Sequence, residues 1–142
     1  MKNSMEIRFK AIKENQSFAR NVVASFILPL NPSLNELADI KTAVSEAVTN
    51  VVVHAYPDKP GYVNMKINIT ERKIRITISD NGIGIQDIER ALTPFYTSKP
   101  NDERSGMGFT VMESFMDKLE VKSDRGLTVS MEKEIEECVV GL

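Results

Sequence analysis

The sequence has a single cysteine, Cys138, so no intramolecular disulfide and no cysteine-built metal site can hold this fold together. Long apolar runs are missing too. Residues 22–30 and 51–53 fall far short of a bilayer span, and Met1-Lys2-Asn3-Ser4-Met5-Glu6 lacks the apolar centre of a signal peptide. These absences predict a cytoplasmic protein that does not enter a membrane. No charge sign dominates: the formal net charge is −2, and Lys and Arg are scattered rather than gathered into a block, which disfavours direct nucleic-acid binding. No GxxxxGKS or GxxxxGKT segment is present, which excludes a Walker-type phosphate loop. What is there is ordinary globular composition, 42% apolar and 27% charged. A chain of 142 residues is sized for one domain over 1–142, able to bury about two-thirds of its unfolded surface.

Hydrophobic periodicity lays out the elements. Residues 6–12 alternate polar Glu6, Arg8 and Lys10 with apolar Ile7, Phe9 and Ala11, which predicts a strand. Over 15–28, Phe18, Val22 and Phe26 recur at helical spacing with Arg20 pointing away, and Pro29 and Pro32 end the helix. Ser33-Leu34-Asn35-Glu36 reads as a capping box that opens a longer helix. Its apolar line is Leu37, Ile40, Val44, Ala47, Val48, Val51 and Ala55, and it ends before Pro57. Val63, Met65, Ile67 and Ile69, then Ile74, Ile76 and Ile78, predict a hairpin turned at Glu71-Arg72-Lys73. Residues 86–105 have the length and composition of a functional lid. A helix over 108–119, strands over 119–121 and 127–131, and a disordered tail over 133–142 complete the reading. Strands that alternate along their length predict a two-layer sandwich, with an open sheet face and an edge strand as candidate surfaces for a homodimer.

Three stretches carry chemistry. Glu46, Asn50 and His54 are spaced four apart and form one polar row beside the apolar line of the second helix. A solvated helix edge explains Glu46 alone, but Asn is a poor residue for a helix interior, and Asn50 lies between Val48 and Val51. Asp80-Asn81-Gly82-Ile83-Gly84-Ile85 stands where a strand ends. There glycines admit a sharp turn and a flat ligand, and a carboxylate can accept hydrogen bonds from an amino group. Ser105-Gly106-Met107-Gly108-Phe109 leads into a helix, whose free N–H groups and dipole form an anion site. Taken singly, the second is also an ordinary Asn-Gly turn and the third an ordinary helix start.

In this order the three resemble the GHKL ATPase family, with Glu46 to Asn50 in the place of its N box, Asp80 to Gly84 of its G1 box and Gly106 to Gly108 of its G2 box. Ser45-Glu46-Ala47-Val48-Thr49-Asn50, Phe95-Tyr96-Thr97-Ser98-Lys99-Pro100 and Glu103-Arg104-Ser105-Gly106-Met107-Gly108-Phe109 are similar to the anti-sigma factor kinases of sporulating bacilli, the group acting on sigma F. The resemblance implies the GHKL, or Bergerat, ATP-binding fold: an α/β (α+β) two-layer sandwich whose mixed, mostly antiparallel sheet carries helices on one face. It implies ATP or ADP with Mg²⁺ as cofactor. The implied partners are a sigma factor and an anti-anti-sigma protein, which is phosphorylated on serine, with ordering of the lid by the nucleotide as the switch between them.

Residue by residue, the resemblance makes Asp80 the acceptor of the adenine amino group, with Gly82, Gly84 and Ile85 around the base. Asn50 would hold Mg²⁺ through its amide oxygen. Glu46 would receive the proton of the incoming serine hydroxyl, mainly orienting it, since phosphoryl transfer passes through a loose transition state. Thr97, Ser98, Lys99 and Arg104 belong to the lid near the phosphates, and Ser105, Gly106, Met107, Gly108 and Phe109 to the phosphate-binding turn. The family places Thr directly after the late strand-turn Gly. Here Leu127 follows Gly126, so Thr128 can take that role only with a register shift. Arg20 is a candidate sigma-factor contact. His54, inside the N-box helix, reads as a packed or hydrogen-bonded residue rather than a phosphorylated one.

Overall fold

In the strand Tyr62–Thr70, Val63, Met65, Ile67 and Ile69 are buried while Tyr62, Lys66 and Thr70 are exposed, and this alternation decides which face of the sheet meets the helices. The structure is a computed structural model that describes residues 1–84 and 108–137. Along the chain run β1 (Lys2–Lys10), α1 (Asn15–Ile27), a 3₁₀ turn (Leu28–Leu30), α2 (Leu34–Asn50), a π turn (Val51–Ala55), β2 (Tyr62–Thr70), β3 (Lys73–Ser79), α3 (Gly108–Phe115), β4 (Lys118–Asp124) and β5 (Gly126–Glu134). The strands form one sheet in the order β1-β2-β3-β5-β4, with all pairings among the described residues antiparallel. Helix α2 packs against both α1 and α3. The sheet's buried side chains and those of the three helices make one continuous core, from Phe9 through Ile40, Val44 and Ile76 to Met131. The architecture is the expected two-layer sandwich. Its other sheet face carries polar side chains such as Lys66, Arg75, Thr77, Ser130 and Glu132.

The capping box forms as read: the Glu36 N–H donates to Ser33 Oγ at 3.0 Å, and the Ser33 N–H donates to Glu36 Oε1 at 2.9 Å. Several boundaries differ from the periodicity, each for a packing reason. Strand β1 begins at Lys2 rather than Glu6, because β2 offers it backbone partners along its whole length, from Lys2↔Thr70 to Lys10↔Tyr62. The buried row of α1 is Ala19, Val23 and Ile27, one residue on from the expected stripe. Phe18 stays 48% exposed, its ring edge-on to Phe9 with centroids 5.9 Å apart. Both rows are apolar at the same spacing, so tertiary packing decides between them. Helix α3 stops at Phe115, and β4 starts at Lys118.

The chain beyond Glu132 is docked, not loose, as far as Glu136. Strand β5 runs through Glu134, Ile135 is buried, and the Arg72 guanidinium donates to the carbonyls of Leu30 (2.7 Å), Ile135 (2.9 Å) and Glu136 (2.9 Å). One buried apolar residue and two of its carbonyls, bridged by Arg72 to the Leu30 carbonyl, help to hold a segment that composition alone marks as polar.

Candidate functional site

The site grows from the end of β3. Asp80 is the next residue, and continuing the alternation past Ser79 turns its carboxylate toward the helices, where it is only 7% exposed. Its N–H donates to the Leu127 carbonyl at 3.0 Å. Its Oδ1 accepts from the N–H groups of Gly82 at 2.8 Å and Leu127 at 3.3 Å; among the described residues, both of its side-chain hydrogen bonds fall on that one oxygen. Burial pushes the Asp80 pKa above the ordinary carboxylate value, and the two N–H donors offset only part of that. The walls are backbone. A Cβ on Gly82 would collide with the Ala55 carbonyl, and that carbonyl accepts from the Ile83 N–H at 3.0 Å. Gly126, with φ of 94°, closes the other side against Asp80. A buried carboxylate with glycine on two sides suits a flat group that brings its own hydrogen-bond donor.

Helix α2 brings the polar row to the same end of the sandwich. It passes into the π turn immediately after Asn50, and the turn ends at Ala55, the residue that grips Gly82 and Ile83. The row Glu46, Asn50, His54 therefore straddles the change of helix type, and all three side chains are half-buried. Glu46 also lines a groove of about 360 Å³ between α1 and α2, together with Arg20, Asn21, Lys41 and Ser45. Arg20 and Glu46 thus share one groove, which sequence spacing did not reveal. Gly108 begins α3 and is buried, and Phe109 is part of the core.

Thr128 is not brought to Asp80. It pairs across from Ser79 and Lys122, between inward-facing Leu127 and Val129, and so stands on the open face; no register shift occurs. Leu127 serves Asp80 through its backbone N–H and carbonyl, a role that no side-chain motif could announce. The Tyr56 hydroxyl, which accepts from the Asn81 N–H at 3.0 Å, was also missed; the only signal was an aromatic residue directly after the polar helix row. Ile85, Thr97, Ser98, Lys99, Arg104, Ser105, Gly106 and Met107, like the lid reading over 86–105, lie outside the described residues.

Residues 9–133 match the histidine kinase-like ATPase domain family. The chain belongs to that family. It is 54% identical over 126 residues to an anti-sigma F factor of Clostridium acetobutylicum, covering 89% of this chain and 88% of that one. Over 138 residues it is 54% identical to an anti-sigma F factor of Clostridium perfringens, covering 95% and 99%. Among solved structures it is similar to the RsbU and RsbW domains of Rv1364c from Mycobacterium tuberculosis, with a TM-score of 0.69 and 17% identity, covering 94% of this chain and 32% of that chain. The catalytic domain of the histidine kinase ThkA gives a TM-score of 0.57 at 15% identity, covering 92% and 96%. At such identities the structural likeness speaks for the fold alone. Membership makes this a nucleotide-binding, kinase-like ATPase domain. Among the described residues no helix is long and apolar enough to cross a membrane.

Proposed function

We propose that this chain is an anti-sigma factor that binds and inhibits a sporulation sigma factor, sigma F, and that as a serine kinase it phosphorylates and inactivates the anti-anti-sigma protein opposing it. The names of relatives 54% identical over nearly all of this chain support the first half. The single observation that carries the site is Asp80, a buried carboxylate walled by glycine, one carbonyl away from the helix that bears Glu46 and Asn50.

Mg-ATP, when bound, supplies the transferable phosphoryl group and the metal charge that eases its transfer. The rest falls to side chains of this chain. Asp80 accepts from the adenine amino group, and Gly82 and Gly84 leave the base its space. Asn50 offers an amide oxygen to the magnesium ion, a hard cation that prefers oxygen and keeps several waters. Glu46 holds the serine hydroxyl of the protein substrate and takes its proton. Arg20 lines one groove with Glu46, which supports it as a contact for the sigma factor. Ser105 to Gly108 would receive the phosphates, and Lys99 and Arg104 would add positive charge; of these, only Gly108 lies among the described residues. The exposed edge of β1 and the open sheet face provide a homodimer surface.

The decisive experiment incubates the protein with labelled ATP and a candidate anti-anti-sigma protein, comparing wild type with Glu46→Ala. Phosphoserine in wild type and its loss in the variant, with ATP binding intact in both, is the expected result. Equal labelling removes Glu46 from its role. No labelling by wild type despite ATP binding points instead to a nucleotide-dependent binding module or ATPase switch.

A further inference from the structure

Four consecutive amides beside the candidate base site are each tied to a fixed acceptor. The Asp80 N–H donates to the Leu127 carbonyl (3.0 Å), Asn81 to the Tyr56 hydroxyl (3.0 Å), Gly82 to Asp80 Oδ1 (2.8 Å) and Ile83 to the Ala55 carbonyl (3.0 Å). Two acceptors are main-chain carbonyls and one is Asp80 itself. Tyr56 alone is a side chain reaching in from another element, so it is the one anchor that a mutation can remove without touching the loop.

The phenol is itself held from both sides. Its hydroxyl donates to the Tyr62 carbonyl at 2.7 Å while accepting from Asn81, which uses a donor and an acceptor of the hydroxyl at once. Its ring lies where Gly61 has no side chain: a Cβ at 61 would collide with the ring carbons. The Gly61 carbonyl accepts in turn from the Ala11 N–H at 2.9 Å, just past the end of β1. Tyr56 directly follows the π turn. It therefore links three things: the helix that carries Asn50, the start of β2, and the loop that aims Asp80.

We propose that Tyr56 is a positioning residue for recognition of the nucleotide base, holding the Asn81 amide so that the Asp80 carboxylate keeps its aim. This rests on the reading that Asp80 receives the adenine amino group. The consequence is specific. Losing the hydroxyl weakens contacts made through Asp80 and leaves contacts to the sugar and phosphates alone. Because Asn81 and Tyr62 are both exposed, the freed N–H of one and the freed carbonyl of the other find water, and the fold loses little.

Binding of ATP and of inosine triphosphate, which carries a carbonyl in place of the amino group, separates these effects. Wild type binds ATP more tightly than inosine triphosphate. Tyr56→Phe lowers ATP affinity about five- to tenfold, the worth of one net hydrogen bond, and leaves inosine triphosphate within about twofold, so the preference narrows. Its thermal midpoint stays near that of wild type. Gly61→Ala, which keeps the hydroxyl but displaces the ring, narrows the preference in the same way. An unchanged ATP preference in Tyr56→Phe, or an equal loss for both nucleotides, overturns the proposal. Asp80→Asn serves as the control: it removes the preference if the site reading is right. If Asp80→Asn binds both nucleotides as wild type does, the site reading falls, and the role of Tyr56 with it.

Discussion

Gly126 leaves no room for a side chain beside Asp80: a Cβ at 126 would stand 2.8 Å from Asp80 Oδ1 and closer still to the Asp80 carbonyl oxygen. With φ at 94°, the position is also one that L side chains rarely adopt. Gly126→Ala therefore meets backbone strain and a collision with main chain, together worth about 2–4 kcal/mol of stability. Chemical denaturation reads the loss, and nucleotide binding falls with it. A variant as stable as wild type would mean that β5 can shift away from Asp80.

Asp80 sets function against stability. Its pKa is raised by burial, so the stability it contributes is fully present below the ordinary value of 3.8 and is lost as the pH rises through the raised folded value. Asn keeps an Oδ1 for the Gly82 and Leu127 N–H groups without carrying the charge. Asp80→Asn is thus expected to unfold at neutral pH no more easily than wild type, with its relative advantage shrinking toward pH 3. ATP affinity drops about ten- to a hundredfold, since the second carboxylate oxygen, open to accept from the base, gives way to an NH₂ donor. Thermal unfolding across pH together with calorimetry checks both halves.

Glu36 works the opposite way. Burial pushes its pKa up, but hydrogen bonds from the Ser33 and Glu136 N–H groups, the Ser33 side chain and the charge of Lys133 prevail, and the net shift is downward. Its stabilisation is present above 4.5 and lost as the pH falls through the lowered folded value. Its two oxygens serve two elements: Oε1 takes the Ser33 N–H, and Oε2 takes the Glu136 N–H at 2.9 Å. Ser33→Ala is expected to cost about 1 kcal/mol as a lost cap, and Glu36→Ala about 2 kcal/mol, because it also releases the docked segment at Glu136. Equal costs in urea titrations would show that the Glu136 contact contributes nothing.

Asn50→Ala tests the metal. In wild type, magnesium is expected to tighten ATP binding. In the variant that gain shrinks by at least about tenfold, while affinity in EDTA is unchanged. A full magnesium response in the variant removes Asn50 as a ligand.

Strand β1 is one edge of the sheet, beside a polar open face. Sedimentation at micromolar concentration is expected to find a dimer, and Pro substitutions at outward-facing β1 positions to shift it toward monomer. A monomer in wild type would remove the proposal.

Much of the scaffold is legible in one dimension because its signals are local. The hairpin of β2 and β3 follows from alternation of Ile and Val with polar residues, and the start of α2 from four residues of a capping box. Of the candidate site residues, Asn50 stands out because it falls between Val48 and Val51, Asp80 because it ends a strand ahead of two glycines, and Glu46 only through its spacing from Asn50. The buried row of α1 does not stand out, since Phe18, Val22, Phe26 and Ala19, Val23, Ile27 are equally periodic.

By itself, then, the sequence determined which segments become strands and helices and which polar residues need explaining, because side-chain period and capping chemistry act over a few residues. Tertiary structure alone decided what surrounds those residues. That Thr128 faces away from Asp80, that Leu127 holds it by main chain, and that Tyr56 steadies Asn81 all depend on pairing register and on hydrogen bonds between segments distant along the chain. Such bonds use backbone atoms that every residue carries, so no residue type marks them in advance.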